Sequence, residues 1–201
     1  MKRSLLTLAS VALGAGALSA NSKSDMVFAG KPHMEFVCPP NMPLHLHVRS
    51  GEILIVGTDD NKVSVDLAGK NVDKIQGVKG RLSLAKNVAD FHLTGGPRDE
   101  LQIIIHVPRK SDLTARIFAG DVNVQDVSGN KDLELQTGQL TISLDKPEDY
   151  GHVDMSVNAG EVDAEVFGGD AKGGLFRSIS RDAGGKYRLH AHVGTGQLSV
   201  H

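Results

Sequence analysis

Two pairs of histidines stand one residue apart in the chain, His45 and His47 in LHLHV and His190 and His192 in LHAHV. In an extended strand, residues i and i+2 project to the same face, so each pair can turn two imidazoles toward one ion. A complete site needs a further ligand from a neighbouring strand, and His201 and Glu165 are the residues the sequence offers. Neither pair carries the spacing of a known metal motif, and alternation with apolar residues turns both pairs outward. The plain reading is therefore four solvated histidines, with no bound metal and no cofactor.

Carboxylates are the second chemical resource. Acids follow a glycine at Glu52, Asp121 and Glu161, and Asp163 and Glu165 extend that face. Stacked in one column these charges would repel, and Gln139 and Gln197 interrupt them. Calcium favours such oxygen donors, but the tandem glycine-aspartate nonapeptide is absent, so a solvated polar face is expected. Asp126, Asp145, Glu148, Asp149 and Asp154 lie near turns, where a glycosidase or lyase would need a pair across a cleft. Turn carboxylates occur in any β-protein exposed to water. GGDAKGG (168–174) lacks the Gly-Lys-Ser/Thr ending of a phosphate loop, and no Gly-x-Ser-x-Gly turn occurs. The expectation is a protein without enzymatic activity.

The bulk numbers narrow the partners. The 201 residues carry 22 basic and 24 acidic side chains, with no basic block. That leaves no electrostatic footprint for nucleic acid. Aromatics make up 4% and Trp is absent, which disfavours recognition by stacking. The start, MKRSLLTLASVALGAGALSA, pairs a basic end (Lys2, Arg3) with a short apolar run (Leu5 to Leu13) and small residues. It reads as a secretory signal peptide over 1–20, cleaved after Ser19 or Ala20, and no later segment is apolar and long enough to span a membrane. Cys38, the only cysteine, excludes an internal disulfide. It is expected to be a partly buried thiol, with a disulfide-linked dimer as the alternative.

The elements that must position these groups are strands. Residues 21–43 read as a linker and proline-rich entry, ending in Pro39, Pro40 and Pro43. From residue 44 onward a two-residue apolar alternation dominates, no segment longer than about two turns holds a helical apolar stripe, and glycine interrupts most candidate helices. A motif recurs in SGEILI (50–55), AGDVNV (119–124), TGQLTI (137–142), AGEVDA (159–164) and TGQLSV (195–200). A weaker copy is KGRLSL (79–84), and a degenerate one is expected near FRSIS (176–180). The defining glycines are Gly51, Gly120, Gly138, Gly160 and Gly196. Two and four residues after each glycine the side chain is apolar, as at Val122 and Val124 or Leu140 and Ile142.

A period near 20 residues built of strands predicts an all-β chain, a β-solenoid of about five to seven short rungs with a glycine at each bend. Rungs stacked about 4.8 Å apart would turn the apolar positions into inward ladders. A β-sandwich is the alternative. The solenoid domain is expected over 44–201, less regular in 44–107. Its last repeat, GTGQLSV, is expected to form an uncapped edge, available for homo-oligomer formation by strand addition.

The run from Ile103 to Leu144 resembles the bacterial putative-adhesin domains of unknown function. The resemblance rests on Val107-Pro108, then Gly120-Asp121-Val122-Asn123-Val124, Gly138-Gln139-Leu140-Thr141-Ile142 and Gly160-Glu161-Val162. Ser50-Gly51-Glu52-Ile53 fits the first repeat. This resemblance covers most of residues 44–201 and implies an exported or envelope-associated β-solenoid, with no catalytic residues to carry over. The function expected is a non-enzymatic interaction module in the periplasm, on the cell surface or outside the cell, meeting a protein or envelope component. A metal- or glycan-binding envelope protein is the first alternative, and a small carbohydrate-active enzyme the second.

Overall fold

The computed structural model describes residues 24–39, 41–69, 75–85, 87–96, 101–171 and 174–201. The signal-peptide reading of 1–20 lies outside them. The chain is all-β, and its sheet is not closed.

Five long strands form the centre: β3 (Leu44–Thr58), β8 (Leu113–Gln125), β9 (Lys131–Ile142), β10 (Tyr150–Ala164) and β13 (Tyr187–Val200). They pair in parallel in the order β3-β8-β9-β13-β10. Their glycines fall in one register, Gly51 beside Gly120, then Gly138, Gly196 and Gly160. Each of the five has a positive φ, from 132° at Gly138 to 147° at Gly51. Such a φ suits glycine and bends the strand. The four beyond Gly51 also leave no room for a side chain, since a Cβ at any of them would lie within 2 Å of the preceding glycine's carbonyl oxygen.

Burial repeats around the bend. In each strand the residues 7, 5 and 3 before the glycine and 2 and 4 after it are buried, as at Leu113, Ala115, Ile117, Val122 and Val124. The inward face thus changes parity across the glycine, and both segments line one apolar core. This is how a chain with two-residue alternation keeps its apolar side inside while turning a corner.

Shorter strands extend the stack. Beside the first segment of β3 lies β6 (Val88–Thr94), then β5 (Lys79–Ala85) and β1 (Ser24–Ala29). Beside its second segment lie β7 (Leu101–Pro108), β4 (Lys62–Gly69) and β2 (His33–Val37). At the far side β12 (Leu175–Asp182) pairs with the first part of β10 and β11 (Gly169–Ala171) with its end.

Four expectations need correction. The stretch read as a linker over 21–43 contributes β1 and β2. Their runs of five or six residues are too short for a period to stand out, although Met34 and Phe36 do alternate inward. The weaker copy around Gly80 is no bend: β5 is antiparallel to β6, and Gly80 makes room for Met34 and Phe91 packed over it. Residues 176–180 belong to β12, a mostly exposed antiparallel partner of β10 rather than a further copy of the repeat. Finally, the C-terminal strand is not an edge. β13 lies between β9 and β10, so Val200 pairs with Ile142 on one side while Ser199 pairs with Asp163 on the other. Consecutive repeats are usually spatial neighbours, and here β10 and β13 exchange places.

Cys38 is fully buried, and burial pushes its thiol pKa up. The buried thiol is the inert form, so a disulfide-linked dimer would first require local opening.

Candidate functional site

The outward side chains of the first strand segments form two polar rows running across the sheet. One row reads His92, His47, Arg116, Glu134, His192 and Ser156. The next reads Asp90, His45, Thr114, Asp132, His190 and Asp154. The parallel register that aligns the glycines also aligns these rows, because every strand reaches its bend at the same height. Both histidine pairs therefore share one face, with β8 and β9 between them.

His47 meets two residues that the sequence reading missed. Its Nε2 lies 3.3 Å from Asp90 Oδ1, and His92 Nε2 lies 3.1 Å from the same oxygen. The two imidazoles stack in parallel, 4.2 Å between centroids and 3° between planes. Desolvation, followed by the neighbouring His92, lowers the pKa of His47 and favours its neutral form. Asp90 Oδ1 is shielded from solvent yet accepts no hydrogen bond of good geometry. His45 faces Asp90 in the register and stays outside this close group.

His190 sits in a different setting. Its Nδ1 is 3.6 Å from Asp154 Oδ2, and it lies close to Asp132 and Glu134. Those two acids already share a cation. Arg116 Nη2 donates to Asp132 Oδ2 at 2.7 Å, and its Nε lies 3.2 Å from Glu134 Oε2. His192 pairs with Ser156 Oγ at 2.9 Å. The further ligands considered from sequence do not join either pair. His201 follows β13 at the opposite end from His190, and Glu165 begins the turn after β10.

Two open grooves flank Arg116. One, of about 400 Å³, is lined by His47, Arg49, Phe118, Glu134 and Gln136 among others. The other, of about 380 Å³, runs by Asp112, Asn130, Asp132, Arg188 and His190. Phe118 is 65% exposed on the rim of the first. Three of the five carboxylates near turns meet cations elsewhere: Asp126 and Asp145 lie 3.6 and 3.7 Å from Arg109, and Asp149 lies 3.0 Å from Lys186. The acids after the glycines stand in one exposed column, with Gln139 and Gln197 separating Asp121 from Glu161.

One buried amine also escaped the sequence reading. Lys131 occupies the inward position seven residues before its glycine, where the other long strands carry Leu44, Leu113, Leu189 and Val153. Its Nζ donates to Tyr150 Oη and, at 3.2 Å, to the Gly129 carbonyl. Burial lowers its pKa to about 7 and raises that of Tyr150.

No protein-family model and no curated protein matches the chain. One solved structure is similar in fold, a protein from Clostridium sporogenes described as a "putative cell adhesion protein". It is 12% identical, with a TM-score of 0.51, over 84% of this chain and 97% of that one. Among the described residues, no helix is long and apolar enough to cross a membrane.

Proposed function

We propose that the chain is an exported, non-enzymatic interaction module of the cell envelope or surface, of adhesin type, acting through the outward face of its first strand segments. The observation that carries this reading is the fold shared over 84% of the chain with a protein described as a putative cell adhesion protein. The face itself supports it. An exposed aromatic, Phe118, stands beside Arg49 and Gln136 at a groove, and Arg and aromatic side chains are the usual anchors of a binding surface. The partner would be a protein or glycan of the envelope, held by polar contacts around that anchor.

We read the stack as a β-solenoid. Five parallel strands in one register favour this over a sandwich, whose sheets are antiparallel. The exchange of β10 and β13 is its irregularity. The pairing of Asp126, Asp145 and Asp149 with Arg109 and Lys186 favours a structural role for these three over a carbohydrate-active site.

Export is tested by fractionating cells that express the full chain with a C-terminal tag. The reading expects a shortened protein in the periplasm, on the surface or in the medium. Full-length protein retained in the cytoplasm would contradict it.

A further inference from the structure

We propose that His47, Asp90 and His92 form a binding site for a divalent transition-metal ion of the zinc type, bridging β3 and β6. This goes beyond the adhesin reading and does not depend on it.

The geometry is that of a ligand set. The three ligand atoms lie within 4.8 Å of one another, and both imidazole Nε2 atoms sit 3.1–3.3 Å from one carboxylate oxygen. Ligands on a tetrahedral zinc, each at 2.0–2.1 Å, stand about 3.4 Å apart. The two rings, stacked within 3° of parallel, must tilt out of their stack to aim both nitrogens at one ion, and both side chains are partly exposed, at 37% and 42%. Two nitrogen donors and one oxygen donor select zinc, nickel or copper over calcium or magnesium. Three protein ligands leave a fourth position for water or for a group on a partner.

The state of that same oxygen adds to the geometry. Asp90 Oδ1 is shielded from solvent without a well-directed hydrogen bond, although two imidazole nitrogens lie within reach. A cation between this oxygen and the imidazoles would satisfy it, while the Asp90 side chain as a whole stays 38% exposed. Asp132, Glu134 and His190 make the second cluster of this kind on the face, and Asp132 Oδ1 is likewise without a hydrogen bond, but Arg116 already supplies its positive charge. The ligands are also held firmly. Asp90 and His92 are i and i+2 on β6, and His47 faces His92 in the parallel ladder with β3.

Zinc chloride titrated into the metal-free protein, followed by calorimetry, tests the site, and cobalt absorption reports its geometry. The expected result is one zinc per chain. His92→Gln and Asp90→Asn should each weaken it at least about tenfold, while His190→Gln leaves it unchanged. Circular dichroism of each variant checks that the surface substitution leaves the sheet intact. No zinc binding by the folded wild type would overturn the proposal. So would binding that survives His92→Gln but is lost with His190→Gln.

Discussion

A Cβ placed on Gly138 would lie 1.9 Å from the carbonyl oxygen of Gly120, the residue at the same height one strand away. Strain and steric conflict coincide there, because φ at Gly138 is 132°. Neither can be relieved by rotating a side chain, since the obstacle is backbone. Gly138→Ala is expected to cost about 3 kcal/mol or more in urea unfolding. Gly184→Ala is the control, because nothing lies within 4 Å of a Cβ there and its φ is not in the strained range. It should change stability by less than about 0.5 kcal/mol. Equal effects at the two positions would remove the column as the organising feature of the fold.

The position of β13 makes a contrary prediction to the one its sequence suggests. A proline at an exposed terminal edge would disturb only assembly. Val200 is instead buried, in a strand with neighbours on both sides. Val200→Pro should therefore destabilise the fold itself by about 3 kcal/mol or more, visible as a lower Tm at fixed concentration. A variant as stable as wild type but altered in oligomeric state would restore the edge account.

Lys131 makes stability depend on pH. Its folded pKa is about 7, against an ordinary 10.5, because burial disfavours the charged amine. Between those values the unfolded chain holds a proton that the folded chain lacks, so stability rises with pH. The slope from this group approaches about 1.4 kcal/mol per pH unit, and below pH 7 the penalty is complete. Tyr150 bounds the window from above. Its folded pKa is raised by burial, so stability falls again once the unfolded tyrosine ionises above its ordinary value of 10. Lys131→Met should raise stability at pH 7 by about 1–3 kcal/mol and flatten the rise between pH 7 and pH 10. Urea unfolding at pH 6, 7, 8 and 9.5 measures this. A wild-type profile flat over that range would show the amine remaining charged in the fold.

The repeated glycines and the apolar residues two and four positions after them are the part of this architecture that the chain displays most openly. Val122, Leu140, Val162 and Leu198 share a context that is local in sequence. What stayed hidden depends on which strand lies beside which. Nothing local tells Val200 that β9 and β10 will enclose it. Asp90 and His92 sit in VADFHLT, which alternates as well as any other strand, yet they matter only once β6 is laid against His47. Lys131 could have been found from sequence. It requires extending the columns back seven residues before the glycine, where one lysine interrupts a run of Leu and Val. Gly80 imitates the repeat because a glycine under Phe91 and Met34 and a glycine at a bend look alike in one dimension.

Binding to the envelope tests the central claim most directly. The processed protein would be mixed with washed envelopes of the source cells and sedimented over a range of concentrations, beside a folded Phe118→Asp variant. The account predicts saturable sedimentation of the wild type and binding at least about tenfold weaker for the variant, as for loss of an aromatic anchor. A wild-type protein that stays in the supernatant at every concentration, or a variant that sediments as well as wild type, would contradict it.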